Sequence, residues 1–253
     1  MTIAICRTKA ELGSRAASTG AEYIKAAIRE RGKARIILGT GNSQVEMLKR
    51  LVEVDGIDWS KIEMFHLDEY VGLADTHAAS FRRYLKERFV DIVRPGKVWF
   101  INADARDLNA EIARLSKGVS SDIIDVAFVG IGENGHIAFN DPPADFKTSV
   151  PYLIVDLDLA CREQQVGEGW FASVADVPRK AVTMSVRQIM ASNAVVCSVP
   201  DRRKAQAVRD CLAGQAQVRP EHPASILKAH PEACVFLDPE SASLLDGSAA
   251  AGG

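Results

Sequence analysis

The sequence lacks most of the features that mark a specialised protein. Its five cysteines, Cys6, Cys161, Cys197, Cys211 and Cys234, are scattered, odd in number and nowhere spaced Cys-x-x-Cys. That spacing argues against a zinc site and against a disulfide framework. Cys197 and Cys234 lie in apolar runs and read as small core residues. No apolar run approaches the ~18 residues of a membrane span. The N-terminus has no charged segment followed by a continuous apolar stretch, so it does not read as a secretory signal. Neither charge is in excess: the formal net charge is -2, which removes any bulk attraction to nucleic acid or to an anionic membrane. Internal repeats are missing too. The expectation is a cytoplasmic protein with neither nucleic acid nor membrane as a partner, and a homo-oligomer is left open.

What is present is ordinary in bulk and specific in detail. The chain has 253 residues, 47% hydrophobic and 25% charged, enough for one large α/β domain or two small ones. No linker-like shift in composition occurs before Gly247–Gly253, a low-complexity run. One domain over residues 1–240 and a disordered tail over 241–253 is the economical division.

Apolar runs and helical periods alternate along the chain. Thr8 and Glu11 make a capping box for a helix whose apolar face carries Leu12, Ala16, Ile24 and Ile28, with a break near Gly20 and a C-cap at Gly32. Strands are expected at Ala34–Leu38, Ile62–Leu67, Val98–Ile101, Ile123–Val129, Tyr152–Leu157, Ala181–Ser185, Ala194–Val199 and Ala233–Leu237. Helices are expected after Ser43, at Ser80–Val90 and Asp104–Lys117, and after Pro200. Residues 160–178 show little period and read as a loop or lid around Trp170-Phe171, either a water-excluding flap or an inert excursion held by its aromatics. The alternation predicts a single Rossmann-like α/β domain, a mainly parallel sheet with helices on both faces.

Three strand ends carry chemistry. The loop Gly39-Thr40-Gly41-Asn42-Ser43 joins a strand to a helix and offers free N–H groups and hydroxyls to a phosphate. It is neither a Walker loop nor Gly-x-Gly-x-x-Gly, and capping alone would also explain it. A second strand ends in Asp68-Glu69-Tyr70, where one acid can face a ligand and the other cap the next turn. The third ends in Gly130-Ile-Gly-Glu-Asn-Gly-His-Ile-Ala-Phe-Asn-Asp-Pro142, which brings Asn134, His136 and Asp141 together. An imidazole and a carboxylate beyond the end of a parallel strand are a candidate acid/base pair; solvated turn residues are the plainer reading. The basic run Arg202-Arg203-Lys204 at a helix start opposes the helix dipole, as a solvated charge run or as a partner for an anion.

Leu67-Asp68-Glu69-Tyr70-Val71-Gly72, Gly132-x-Asn134-Gly135-His136-Ile137-Ala138-Phe139-Asn140 and Val182-Thr183-Met184 resemble the glucosamine-6-phosphate deaminase (isomerase) family. The similarity runs in order from about Ile36 to Leu237. The resemblance implies conversion of glucosamine 6-phosphate and water to fructose 6-phosphate and ammonia, without metal or organic cofactor. It implies that Asp68 is the base moving a proton between C2 and C1, and that His136 assists ring opening with Asp141 and Asn134 behind it. Gly39, Thr40, Gly41, Asn42, Ser43 and Lys204 match the positions that hold the phosphate of this sugar-phosphate substrate.

The sequence departs from that pattern in three places. Asp141 stands where the family carries glutamate, one methylene longer, and a shift of about 1 Å can cost ~100-fold. Asn134 stands where many members carry aspartate. Gly169 stands where many carry an arginine that contacts the phosphate, and Arg162 is the candidate substitute. The basic residues that serve allosteric activation in some members have no clear counterparts around Tyr152–Val155. Two other readings stay open. A 6-phosphogluconolactonase resembles the same fold, but tends to Asp-Glu-Arg and Thr-Ala-Ser at the two motifs. A sugar-phosphate sensor domain would need a DNA-binding module, for which the chain before Ala34 is short.

Overall fold

The computed structural model describes residues 1–245. Its main sheet has seven strands, all parallel, in the order β1-β10-β9-β6-β2-β3-β5. These are β1 (Thr2–Ile5), β2 (Ala34–Leu38), β3 (Ile62–His66), β5 (Lys97–Trp99), β6 (Val126–Val129), β9 (Ala194–Val199) and β10 (Ala233–Leu237). Side chains alternate across this sheet as the pleat requires. Ile36, Leu38, Val126 and Phe128 pack with α1 (Lys9–Arg31) and α2 (Val45–Leu51) on one face. Ile37, Ala127, Val129 and Cys197 face the other way, toward α5 (Leu108–Val119), α7 (Val186–Met190) and α8 (Ala205–Leu212).

The Thr8 hydroxyl caps α1 by accepting from the Glu11 N–H at 3.1 Å, and the Glu11 carboxylate reaches back to the Arg7 N–H at 2.8 Å. Gly32 closes the helix with φ 75°. The expected break at Gly20 does not occur. A Cβ there would lie 2.2 Å from the Phe128 ring, so the glycine serves the close approach of α1 to β6 rather than a bend. The fifth helix is displaced relative to expectation, because Asp107 rather than Asp104 caps it, accepting from the Ala110 N–H at 3.0 Å.

A second sheet was not foreseen. Strands β4 (Asp68–Tyr70), β8 (Lys180–Met184) and β7 (Tyr152–Asp156) pair antiparallel in the order β4-β8-β7. The chain passes from one sheet to the other at Leu67: its N–H donates to the Leu38 carbonyl, and its carbonyl accepts from the Met184 N–H. Asp68 is therefore the first residue of the second sheet, not the last of the first. The Glu69 carboxylate then caps α3 (Phe81–Leu85), which runs through a π turn (Lys86–Val90) into α4 (Asp91–Val93).

Residues 160–178 are also more ordered than expected. Asp158 caps a helix, α6 (Leu159–Gly167), by accepting from the Cys161 N–H at 2.5 Å. Its inner face carries Cys161, Gln164 and Gln165, two of them amides, which hides the helical period from a count of apolar residues. Ser241 and Ala242 are buried, so the start of the expected tail packs against the fold, and residues 246–253 lie outside the described part.

Candidate active site

The carboxyl ends of four neighbouring strands of the main sheet, β9, β6, β2 and β3, build one cleft. Leu38 of β2 pairs in register with His66 of β3 and Phe128 of β6, and Val129 of β6 with Cys197 of β9. Between β2 and β6 the strand order reverses direction, the place where ligands sit in open α/β sheets. Gly39, Thr40, Gly41, Asn42, Ser43, Asp68, His136 and Lys204 all line this cleft. Asn134 and Asp141 do not; they stand behind His136.

The glycines allow the loops to interlock. A Cβ on Gly130 would lie 2.5 Å from the Ser43 hydroxyl. Beneath them the buried Gln44 amide donates to the Val129 carbonyl at 2.8 Å, tying the β2 loop to the β6 loop. Gly41 takes φ 80°, where a side chain would be strained.

His136 is fixed on every side but one. Its ring lies on Gly132, where a Cβ would stand 2.2 Å from Nε2. The His136 N–H donates to Asn134 Oδ1, and His136 Nδ1 meets Asp141 Oδ1, both at 3.0 Å. Asn134 Nδ2 donates to the same Asp141 oxygen at 3.0 Å and to Asp158 Oδ2 at 3.2 Å, while the Asp158 N–H donates to Asp141 Oδ2 at 3.2 Å. Burial pushes the Asp141 carboxyl up, but His136, Asn134 and the Asp158 backbone outweigh it and hold the group below its ordinary value. An ionised Asp141 accepts only, so Nδ1 carries its proton toward it and Nε2 is the nitrogen offered to the cleft. Asp141, although one methylene shorter than glutamate, reaches the imidazole at hydrogen-bond distance.

Asp68 and Glu69 divide the two readings of the acidic pair. Glu69 is fully buried and accepts from the backbone N–H groups of Tyr70 (2.9 Å), Phe81 (3.2 Å) and Arg82 (2.8 Å) and from the Ser80 hydroxyl (3.0 Å). It is the cap. Among the described residues nothing donates to the Asp68 carboxylate, which is 6% exposed and turned into the cleft. Burial, and then the neighbouring Glu69 charge, push the Asp68 carboxyl up to about 8.

Three residues of the α6 segment line the cleft and were missed in the sequence: Gln164, Gln165 and Glu168. Gln165 Oε1 accepts from the Tyr70 hydroxyl at 2.6 Å, and Gln164 Oε1 from the Glu133 N–H at 2.8 Å. Adjacent amides on the inner face of a weakly amphipathic segment were the available signal. Arg162 does not reach the cleft; it donates to the Val174 carbonyl. Arg82, at the start of α3, is buried and pairs with Asp104 at 2.9 Å. Of the basic run, Arg203 pairs with Asp201 and Glu133 outside, and only Lys204 turns inward. Trp170 and Phe171 are anchors: Phe171 meets the Tyr70 ring edge-on at 5.3 Å and Trp170 meets Tyr84 at 6.0 Å.

His136, Asp141 and Cys161 bring possible ligand atoms within 4.8 Å of one another. Asp141 already spends Oδ1 on His136 Nδ1 and Asn134 Nδ2, and Oδ2 on the Asp158 N–H. The cluster reads as a hydrogen-bonded support for the imidazole.

Residues 7–236 match the model of the family described as glucosamine-6-phosphate isomerases/6-phosphogluconolactonase. The chain is 34% identical over 250 residues to glucosamine-6-phosphate deaminase 1 of Bacillus subtilis, covering 96% of this chain and 99% of that one. It is 36% identical over 222 residues to a glucosamine-6-phosphate deaminase of Exiguobacterium, covering 85% and 84%. Among solved structures, a monomeric glucosamine-6-phosphate deaminase superposes with a TM-score of 0.87 at 32% identity, covering 96% of this chain and 100% of that one. The 6-phosphogluconolactonase of Trypanosoma brucei shares the fold, with a TM-score of 0.77 at 20% identity over 97% of this chain and 98% of that one.

Proposed function

The chain belongs to the family of glucosamine-6-phosphate isomerases and 6-phosphogluconolactonases, and within it we propose that it is a glucosamine-6-phosphate deaminase. The substrate and water yield fructose 6-phosphate and ammonia. The observation that carries this reading is a base and a phosphate loop in one cleft: Asp68, without a protein donor among the described residues, shares it with His136 and with Thr40–Ser43 and Lys204.

In this reading the loop N–H groups, the Thr40 and Ser43 hydroxyls and the Lys204 ammonium hold the phosphate. His136 Nε2, oriented by Asp141, exchanges a proton with the ring oxygen as the sugar opens. Asp68 takes the proton from C2 as the aldehyde oxygen on C1 takes one up, giving an enediol-like intermediate with nitrogen on C2, and returns its proton to C1 as the nitrogen gives one up. An imine remains at C2. Water adds to it and ammonia leaves, so no external oxidant or reductant is needed. The raised Asp68 carboxyl suits both halves of the transfer, since it accepts and releases a proton near neutral pH. The Asp68-Glu69-Tyr70 and Ile137–Asn140 segments side with deaminases rather than lactonases. A single catalytic unit over residues 1–240 contains every group invoked, and five free thiols fit a cytoplasmic setting.

The proton route is testable directly. Turnover in deuterated water should place solvent deuterium on C1 of the fructose 6-phosphate formed, to the extent that Asp68 exchanges its proton before returning it. A product with ammonia released and hydrogen neither moved nor exchanged between C2 and C1 would contradict the route.

A further inference from the structure

Glu168 follows α6 and holds its carboxylate over the loop assigned to the phosphate. Oε1 lies 3.0 Å from Lys204 Nζ and accepts from Gln164 Nε2 at 2.8 Å; Oε2 accepts from Trp170 Nε1 at 3.3 Å. That second oxygen is 3.9 Å from the position a Cβ on Gly41 would take. The Lys204 and Glu168 side chains are each only 6% exposed. Burial pushes the Glu168 carboxyl up, but Lys204 and the two side-chain donors outweigh it, so the group is held below its ordinary value and is ionised. Lys204 is the only lysine or arginine among the described residues lining the cleft, and its charge is already answered by Glu168.

A phosphate against Thr40–Ser43 and Lys204 would therefore meet a second anion in a shielded place, where like charges repel strongly. The Glu168 N–H donates to the Gln164 carbonyl at 2.8 Å and the Gly169 N–H to the Val166 carbonyl at 2.9 Å, so the backbone here is held and the carboxylate leaves Lys204 by rotation of its own side chain.

We propose that Glu168 is an internal competitor for the phosphoryl group and so a determinant of specificity. It neutralises Lys204 in the empty site and has to yield that cation for a ligand to bind. A neutral sugar cannot displace it, and a doubly ionised phosphate ester does so best. The inference rests on the reading of Lys204 and Thr40–Ser43 as the phosphate site. It distinguishes Glu168 from a residue that contacts the sugar, because a competitor weakens binding and a contact strengthens it.

The test uses the full chain with inorganic phosphate as the probe, alongside Glu168→Gln, Glu168→Asp and Lys204→Met. Affinity is read by calorimetry and by inhibition of turnover. Glu168→Gln keeps the size and the acceptor but loses the charge. It should bind inorganic phosphate about tenfold tighter and lower KM for the sugar phosphate by a similar factor, as expected when a non-binding state is removed. Glu168→Asp, still charged but short of Lys204, should fall between. The thermal midpoint without ligand should drop in Glu168→Gln, while the rise produced by phosphate should grow. A purely structural role would lower the midpoint and leave the phosphate affinity unchanged. Unchanged or weaker phosphate binding in Glu168→Gln, with binding still lost in Lys204→Met, would overturn the competition alone. Equal phosphate binding by the unaltered protein and Lys204→Met would overturn the phosphate-site reading beneath it.

Discussion

Asp68 and Glu69 are adjacent in the chain and opposite in their surroundings. Glu69 accepts four hydrogen bonds from Tyr70 and the start of α3, whereas Asp68 opens into the cleft and borrows none among the described residues. The difference follows from the switch between sheets at Leu67, because successive residues of β4 point to opposite faces. One carboxylate fixes the local fold and, by its charge, raises the proton affinity of the other.

That relationship predicts a pH dependence. Asp68 acts as a base only when deprotonated, so kcat/KM should rise with pH through its raised value, about 8, rather than near 4 where aspartates ordinarily titrate. Glu69→Gln removes the neighbouring charge and should move this limb toward lower pH. A profile flat from pH 5 to 9, set on the order of these reference values, would remove Asp68 from the role of base.

The Asp141–His136 contact predicts an inverted response to the family's usual residue. Because Asp141 already reaches Nδ1 at 3.0 Å, a longer glutamate side chain would overreach, and Asp141→Glu should lower kcat, by up to ~100-fold if the imidazole moves about 1 Å. Asp141→Asn keeps the size but no longer enforces the tautomer, and should lower kcat by ~100-fold or more with KM for the sugar phosphate nearly unchanged. Steady-state kinetics on the two variants decide this; a gain in kcat for Asp141→Glu would mean that the shorter side chain is a defect.

Gly132 predicts a third effect. A methyl group there would lie 2.2 Å from His136 Nε2, so Gly132→Ala should swing the ring away from the cleft. We expect kcat to fall on the order of 100-fold. Gly214→Ala, where nothing lies within 4 Å, is the control and should leave kcat unchanged. Equal kcat for Gly132→Ala and the unaltered protein would show that the ring position does not matter.

Much of this was legible in the sequence because the relevant signals were local. The buried strands β6 and β10 are short continuous apolar runs, β2 and β9 are interrupted only by Arg35 and Ser198, and the Thr8 and Gly32 caps follow from side-chain chemistry at fixed offsets. The residues lost to view depend on distant partners. β1 is a half-exposed edge strand without a buried run, and it exists because β10 pairs with it. β4 is three residues of mixed polarity that become a strand only beside β8. The helical character of α6 is carried by Gln164 and Gln165, which are buried because Glu133 and Tyr70 satisfy them. Glu168 looks like any charged loop residue until Lys204 is found 3.0 Å away.

The central claim is that Asp68 moves a proton in a deaminating isomerisation. The most direct measurement follows ammonia and fructose 6-phosphate together, from glucosamine 6-phosphate given to the purified protein and to Asp68→Asn. The account predicts equal amounts of both products from the unaltered chain. Asp68→Asn should lose at least ~1,000-fold in kcat while binding the substrate with similar affinity. Turnover by Asp68→Asn at the unaltered rate, or no ammonia from the folded unaltered protein, would contradict it.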